Sequence, residues 1–221
     1  MGIPDTVETG ILTFEYNNKR QLVKMQSKDG TTTFEYNNDK PVKSNYYNKK
    51  QELEYYAAFS YNGNLLTSIK AIYTNPDFNR TSYYTYNASG QLISSNLCQS
   101  EDCTHPTTRS YSYDGNNISS ETFVLVGTNY NNKREFSYDN KLNPYTNINK
   151  YLRITMEGAY TLSNSNYIID KNSVKDNGNW VLSETTTYTF EYNSSGLPVK
   201  AIGKGSDGNL SVQYNYEYII Q

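Results

Sequence analysis

The sequence predicts an all-β protein: an antiparallel meander of repeated β-hairpins that forms one long, curved or superhelical single-layer sheet with one irregular insertion. Three observations lead to this fold class. A sequence repeat of about 25 residues runs along the chain, residue types alternate strictly inside each repeat, and the composition is rich in tyrosine but poor in aliphatic residues. Internal repeats at such a period are typical of repeat architectures built from one supersecondary unit.

The repeat consists of two aromatic residues separated by one residue, followed in most copies by Asn or Asp. The copies are Phe14-Glu15-Tyr16, Phe34-Glu35-Tyr36, Phe59-Ser60-Tyr61, Tyr84-Thr85-Tyr86, Tyr111-Ser112-Tyr113, Phe136-Ser137-Tyr138, Phe190-Glu191-Tyr192 and Tyr214-Asn215-Tyr216. Successive copies follow each other after 20 to 27 residues, except for one interval of 54 residues before Tyr192. We interpret this interval as two periods, with a degenerate copy around Tyr167–Asp170.

The alternation inside each copy favours strands over helices. Phe14 and Tyr16 lie two residues apart and share one face of a strand, whereas Glu15 points to the opposite face. After each copy come turn residues, a second apolar run and another turn, so that one period holds one β-hairpin. Roughly 16 strands result, and a sheet of that size is expected to twist and curve into a trough or partial tube.

The composition argues against several classes of function. Hydrophobic residues make up 36% of the 221 residues, and 24 of them are tyrosines. A net charge of −2 and an aromatic content of 14% argue against disorder. The lysines and arginines are scattered, so we expect no nucleic-acid partner. No apolar run approaches the roughly 18 residues of a membrane-spanning helix, so no transmembrane segment is predicted. With one His, the chain is predicted to hold no cofactor and no metal.

The chain divides into residues 1–10, a linker that begins with an expected cloning start, and residues 11–221, a single domain of hairpin repeats. An irregular insertion at about 139–166 lacks the alternation and contains a weak helical stretch near 149–156. Two interpretations of the insertion stay open. It covers an edge or the mouth of the curved sheet, because exposed sheet edges template aggregation, or it is a functional loop.

Some of the motifs carry a resemblance to a known family. Tyr113-Asp114-Gly115 and Tyr138-Asp139 resemble YD repeats, the hairpin units of Rhs and teneurin-type shells. The chain is more similar to small YD-repeat-like lipoproteins of Bacteroidota, through its Tyr/Asn-rich composition and the block that runs from Tyr138 to Tyr145. The resemblance implies an exported protein of no assigned activity at the outer membrane or cell surface. It also implies a lipid anchor, with the signal peptide and anchor cysteine in the natural precursor.

The two cysteines fit an exported protein. Cys98 and Cys103 enclose a short loop between two strands, and a disulfide is natural in an oxidising compartment. The alternative is a zinc site that recruits His105 and either Glu101 or Asp102, although structural zinc sites commonly have four ligands and tighter Cys spacing. Without further partners, His105 is interpreted as a surface residue.

The acidic residues offer only weak candidates for chemistry. Glu15, Glu35 and Glu191 could be paired carboxylates for glycoside cleavage, but their identical place in each repeat favours solvent-exposed ladder positions with lysine partners across strands. The clusters Asp176-Asn177-Gly178-Asn179 and Asp207-Gly208-Asn209 lack the calcium-loop pattern and are interpreted as turns. We therefore expect no enzyme.

The leading functional hypothesis is a non-catalytic binding module at the cell surface, with a glycan or an envelope protein as partner. The doubled tyrosines at 46–47, 55–56 and 83–84 must place one ring on each face of the sheet. Tyr47, Tyr56 and Tyr83 are therefore predicted to form an aromatic binding patch on the second face, since tyrosine combines a flat apolar ring with a polar tip. A structural or shielding component of an envelope complex is the alternative, and a glycan-acting enzyme is a third possibility.

Overall fold

The protein is a single open antiparallel sheet of fifteen strands in which every strand pairs with its neighbours in sequence. A computed structural model describes residues 9–100, 102–128 and 130–218, so the first eight residues of the predicted linker lie outside the described part of the chain. The strands are β1 Thr13–Tyr16, β2 Leu22–Gln26, β3 Gly30–Asn37, β4 Lys40–Asn48, β5 Leu53–Asn62, β6 Leu65–Tyr73, β7 Arg80–Tyr86, β8 Leu92–Cys98, β9 Thr107–Asp114, β10 Asn117–Leu125, β11 Asn131–Leu142, β12 Ser165–Asp176, β13 Asn179–Tyr192, β14 Pro198–Lys204 and β15 Leu210–Asn215. The predicted fold class is confirmed.

Short helical segments complete the described structure. Two 3-10 turns span Pro76–Phe78 and Pro144–Asn147, and two short helices, α1 and α2, span Lys150–Met156 and Ala159–Leu162. The helical stretch predicted near 149–156 is confirmed as α1.

A β-bulge recurs beside the second aromatic residue of the repeat. Tyr16 faces Leu22 while Glu15 faces Lys24, so one residue of β2 is skipped in the register. The same skip occurs in the hairpins that begin with β3, β5, β7, β9, β11 and β13. Because a bulge increases local twist, its repetition at the same end of seven hairpins explains why the sheet curves.

The residues that face the second aromatic side chain form the centre of the core. They are Leu22, Pro41, Leu66, Leu92, Ile118 and Pro198, and all six are buried. Six of the seven hairpins thus contribute one aliphatic or proline side chain and a ring pair to the inner face, whereas in the hairpin of β11 and β12 Tyr138 faces Tyr167. This explains how a chain with few aliphatic residues builds a core.

The second aromatic residue is a tyrosine because its hydroxyl ties neighbouring hairpins together. The hydroxyl of Tyr86 donates to the carbonyl oxygen of Leu66, one hairpin earlier, at 2.8 Å. Equivalent bonds of 2.5 to 2.9 Å are made by Tyr36, Tyr61, Tyr113, Tyr138 and Tyr218. We call these six bonds the hydroxyl ladder. Burial raises the pKa of three of its members, Tyr36, Tyr113 and Tyr218, to about 12.

The hydroxyl ladder corrects the phase of the final repeat. Tyr218 donates to Pro198, so the last functional copy is Tyr216-Glu217-Tyr218. The copy predicted at Tyr214-Asn215-Tyr216 was therefore placed two residues too early. Tyr214, Tyr216 and Tyr218 are spaced two residues apart, so alternation allows both positions of the repeat, and the hydrogen bond of Tyr218 distinguishes them.

The degenerate repeat predicted around Tyr167–Asp170 is wrong. Tyr167 lies on β12, directly opposite Tyr138 of β11, and so belongs to the same hairpin as the preceding copy. The interval of 54 residues contains one enlarged hairpin, because β12 and β13 have 12 and 14 residues and the insertion separates β11 from β12.

The insertion covers the mouth of the curved sheet at the end where the bulges lie. Its irregular part is narrower than predicted, since β11 extends to Leu142 and β12 begins at Ser165. Tyr151, Leu152 and Ile154 of α1 are buried in the core. The Tyr151 hydroxyl donates to the carbonyl oxygen of Asn64 at 2.7 Å, in the turn between β5 and β6. The insertion therefore closes the interior at this end, which we call the covered end.

Candidate functional site

The outer face of the sheet carries the three tyrosines predicted as a binding patch. Tyr83 is 50% exposed, whereas Tyr47 and Tyr56 are half-buried. Tyr47 and Tyr56 are diagonal neighbours on β4 and β5, and the Lys43 ammonium lies 5.3 Å from the Tyr56 ring centre. Tyr83 of β7 lies opposite Ser68 of β6, which in turn lies opposite Ser60 of β5. Ser60 is four residues from Tyr56, so strand spacing and rise place the backbone positions of Tyr83 and Tyr56 ~16 Å apart. The structure brings Tyr47 and Tyr56 together but places Tyr83 apart.

The inner members of the doubled tyrosines form a separate cluster. Tyr46 and Tyr55 stack at 5.1 Å between ring centres, and Tyr55 lies 4.6 Å from Tyr73. The Arg80 guanidinium covers the Tyr73 ring at 5.0 Å and donates to its hydroxyl. These rings line the inner face away from the insertion, at the end that we call the open end.

The glutamates of the repeat occupy exposed ladder positions, as interpreted from the sequence. Each pairs across strands with a lysine: Glu15 with Lys24 at 2.8 Å, Glu35 with Lys43 at 3.5 Å and Glu191 with Lys200 at 3.5 Å. All three carboxylate side chains are more than half exposed. Exposed pairs of this kind contribute about 0–1 kcal/mol each, so these glutamates act on solubility and register.

The two cysteine sulfur atoms are bonded to each other, with their Cα atoms 4.9 Å apart. The zinc alternative requires free thiolates, and of its other ligands Glu101 lies outside the described residues. The Asp102 carboxylate accepts a hydrogen bond of 2.6 Å from Ser100, and His105 contacts Thr104. Among residues 9–100, 102–128 and 130–218, no group of three or more His, Cys, Asp or Glu side chains is arranged to hold a metal.

A polar groove opens on the inner face at the open end of the sheet. It has a volume of about 330 Å³ and lies across β11, β12, β13 and β15. Its lining residues are Asn132, Arg134, Asp170, Asn172, Glu184, Thr186, Tyr188 and Ser211. We call this the polar groove.

An ion pair forms the rigid part of the polar groove. The Arg134 guanidinium binds both carboxylate oxygens of Asp170, and its Nε donates to Oδ1 at 3.1 Å. Asp170 is 8% exposed. Burial alone would lower the pKa of Arg134, but the hydrogen bond and charge of Asp170 raise it above its ordinary value. Arg134 therefore stays charged, and two hydrogen bonds fix the geometry of the pair.

Other polar groups of the groove keep hydrogen-bonding capacity. The Asn132 amide donates to the Asn172 side-chain oxygen at 3.2 Å, and both side chains line the groove. Glu184 is exposed and forms no ion pair within the described part of the chain. Tyr188 packs edge-on against Tyr167 at 4.9 Å and gives the groove an aromatic wall. The groove thus offers hydrogen-bond donors and acceptors beside an aromatic wall.

A second buried ion pair separates the polar groove from the covered end. Arg109 binds Glu121 at 2.6 Å and Glu157 of the insertion at 2.8 Å. Glu121 is 2% exposed, and its Oε2 has no hydrogen-bond partner in the described structure. Burial raises the pKa of Glu157, while the Arg109 charge opposes that shift.

Sequence reasoning missed the inner carboxylates of Glu121 and Asp170 because the bulges reverse the alternation on their strands. Counting by two from the buried Ile118 places Glu121 on the outer face, but the register skips one residue after Ile118. The register also skips one residue between Tyr167 and Ile169, which moves Asp170 to the inner face. The signal that could have revealed them is the recurrent position of the bulge beside the second aromatic residue, which the alternation pattern alone does not show.

A comparison of the fold with solved structures finds a clear likeness. The chain matches a porin-like protein from Bacteroides uniformis with a TM-score of 0.58 and 14% identity, over 92% of this chain and 85% of that one. The fold is shared with that protein. A porin-like protein from Bacteroides vulgatus matches with a TM-score of 0.45 and 11% identity, over 94% of each chain.

Weaker matches include TcdB2-TccC3, with a TM-score of 0.35, 9% identity and coverage of 92% of this chain but 12% of that one. No family model and no curated protein matches the chain. The resemblance to YD-repeat lipoproteins therefore stays a prediction. Within the described residues, none of the helices has the length and apolar character needed to cross a membrane.

Proposed function

We propose that this chain is a non-catalytic, extracytoplasmic binding protein of the cell envelope that holds a neutral glycan in the polar groove. The observation that carries the proposal is the groove itself, where fixed charged groups, amide and carboxylate groups and a tyrosine ring converge on one concavity. Concave sites with a few placed polar groups are the default candidates for ligand binding.

The chemistry of the groove matches sugar hydroxyls. Each hydroxyl both donates and accepts, and the groove supplies acceptors on Glu184 and donors on Asn172. Tyr188 is buried at the wall of the groove, where it packs against Tyr167 and limits the size of the ligand. The charges of Arg134 and Asp170 cancel, so Glu184 leaves the lining slightly negative and disfavours anionic ligands. A volume of about 330 Å³ lies at the lower limit for ligand pockets and favours one or two sugar rings.

The absence of catalysis is part of the proposal. Glycoside cleavage requires one carboxyl group as proton donor and a second as base or nucleophile. Both oxygens of Asp170 are bound by Arg134, so Asp170 is poorly placed to donate a proton. Glu184 would then be the single carboxyl group of the groove lining able to take part, whereas cleavage needs two.

The envelope location is supported by two observations. The disulfide between Cys98 and Cys103 suits an oxidising compartment outside the cytoplasm. The structural neighbour that shares the fold is a Bacteroides protein described as porin-like. We extend this to attachment by a lipid anchor at the outer membrane or cell surface, which the sequence resemblance implies.

A glycan array followed by calorimetric titration tests the proposal. Asn172→Ala and Glu184→Gln should each weaken binding of the best neutral glycan by ten-fold or more, because each removes hydrogen bonds to the ligand. Tyr83→Ala, on the outer face, is the matched control and should bind as the unmodified protein does. Equal binding by the groove variants, or no binding to any neutral glycan at millimolar concentration, would contradict the groove assignment.

The same titration distinguishes the outer face from the groove. The adjacent rings of Tyr47 and Tyr56, with Lys43 over one of them, form the second candidate surface for a glycan or an envelope protein. Loss of binding in Tyr47→Ala and Tyr56→Ala, with the groove variants unaffected, would move the site there. Release of free sugars by the pure protein, abolished by Glu184→Gln, would instead assign an enzyme.

A further inference from the structure

The hairpin of β12 and β13 projects beyond the rest of the sheet at the open end. β14 pairs with β13 only from Thr187 to Tyr192, so the stretch from Asn179 to Glu184 has no strand on that side. On the other side of the hairpin, β11 pairs with β12 only as far as Val174. One edge of β13 therefore presents a row of backbone groups available to a further strand.

This edge is apolar, and a bulge limits its length: Ser183 is the extra residue between Leu182 and Glu184, which face Ser173 and Asn172 of β12. Trp180, Val181 and Leu182 are 40%, 47% and 57% exposed. The segment from Asn177 to Ser183 contains no charged residue and no proline. Natural proteins normally protect long edges with lysines, prolines, bulges or very short strands. The edge at β1, for comparison, has four residues and carries Glu15.

We propose that two copies of this chain associate through antiparallel pairing of their β13 edges, with a two-fold axis at Val181. A closed two-fold interface uses the same patch on both copies. In this register Val181 faces Val181 of the second copy, and Trp180 faces Leu182 of the second copy. Both pairs bring apolar side chains together, and such cross-strand pairs each contribute roughly 0.2–1 kcal/mol.

A second copy fits this edge because the segment is complementary to itself. The pairing runs over Trp180–Leu182 and ends before the bulged Ser183, so no charged residues face each other in it. The strand of the second copy also reaches its own hairpin turn near the point where β14 of the first copy begins to pair with β13. An added strand of this length therefore fills the open edge without colliding with β14.

The predicted association is weak. Only a short strand segment on each side takes part, so the buried area stays below the roughly 1,200 Å² of standard interfaces. We therefore expect dimers only at high protein concentration. Tethering both copies to one membrane would raise their effective concentration.

Sedimentation velocity between 5 and 500 µM tests the association. The unmodified protein should shift from the monomer to the dimer sedimentation coefficient, and Leu142→Lys should behave in the same way, since Leu142 is equally exposed but distant on β11. Val181→Lys should remain monomeric at every concentration, with an unchanged circular dichroism spectrum. A monomeric unmodified protein at 500 µM, or a Val181→Lys variant that dimerises equally, would overturn the proposal.

Cross-linking tests the register. In Val181→Cys the two introduced thiols lie on the two-fold axis, where directly opposed Cβ atoms are ~5 Å apart. Mild oxidation should convert most of this variant to a covalent dimer, while Leu210→Cys, exposed on β15, should stay monomeric. Equal cross-linking of both variants would refute the proposed register.

Discussion

The hydroxyl ladder makes Tyr86→Phe the most informative single substitution for the fold. The change removes one oxygen atom and leaves the ring in place between α1 and the sheet. The Tyr86 hydroxyl donates to the carbonyl oxygen of Leu66 at 2.8 Å. Leu66 is fully buried, so its carbonyl oxygen has no access to water once the donor is gone.

The expected destabilisation follows from this burial. A typical hydrogen bond contributes about 0.5–1.5 kcal/mol net, and a buried acceptor without a partner costs about 1–3 kcal/mol. We therefore expect Tyr86→Phe to lower the free energy of unfolding by ~1.5 kcal/mol. For a domain of this length, each kcal/mol shifts the melting temperature by about 2–4 °C. The melting temperature should fall by roughly 3–6 °C.

Urea unfolding followed by circular dichroism measures the change. Tyr83→Phe is the matched control, because the Tyr83 side chain is exposed and its hydroxyl makes no hydrogen bond to the described residues. The control should lie within about 0.5 kcal/mol of the unmodified protein, as surface substitutions usually do. If Tyr86→Phe and Tyr83→Phe had the same unfolding free energy, the hydroxyl ladder would have no structural role.

Three further substitutions or treatments test other parts of the fold, each by chemical or thermal unfolding. Leu152→Ala, in the buried face of α1, should destabilise the protein by roughly 3 kcal/mol, whereas Leu142→Ala, which is exposed, should change stability by less than about 0.5 kcal/mol. Reduction of the disulfide should lower stability by at most ~2 kcal/mol, because the closed loop is short. Burial raises the pKa of Glu157 above 4.5, so stability contributed by its protonated form is present at pH 4 and is lost as the pH rises towards 7. The unmodified protein should therefore lose stability relative to Glu157→Gln over that range.

The architecture was predictable because it depends on local patterns. Alternation across Phe14, Glu15 and Tyr16 determines which face each side chain occupies, and the same pattern in every repeat determines that hairpins follow one another. The lysine partners of the repeat glutamates follow from the same pairing. These features need only the period of a strand, which the sequence displays directly.

The polar groove was not predictable because it depends on the register. Asp170 and Arg134 meet on the inner face only because the bulge after Tyr167 reverses the alternation of β12. The bulge lies beside the second aromatic residue of each repeat, but the alternation pattern alone does not show that a residue of the partner strand is skipped there. For the same reason Glu121, which alternation places on the outer face, lies buried beside Arg109.

The insertion contacts the first edge strand of the open sheet. The Tyr145 ring packs edge-on against Phe14 of β1 at 6.3 Å and against Tyr160 of α2 at 5.3 Å. Burial and the neighbouring hydroxyl of Tyr160 raise the pKa of Tyr145. The short edge strand β1 is thus held to the insertion through an aromatic pair. Because the insertion lies at the covered end, it leaves the open end free, and both the polar groove and the projecting edge of β13 lie there.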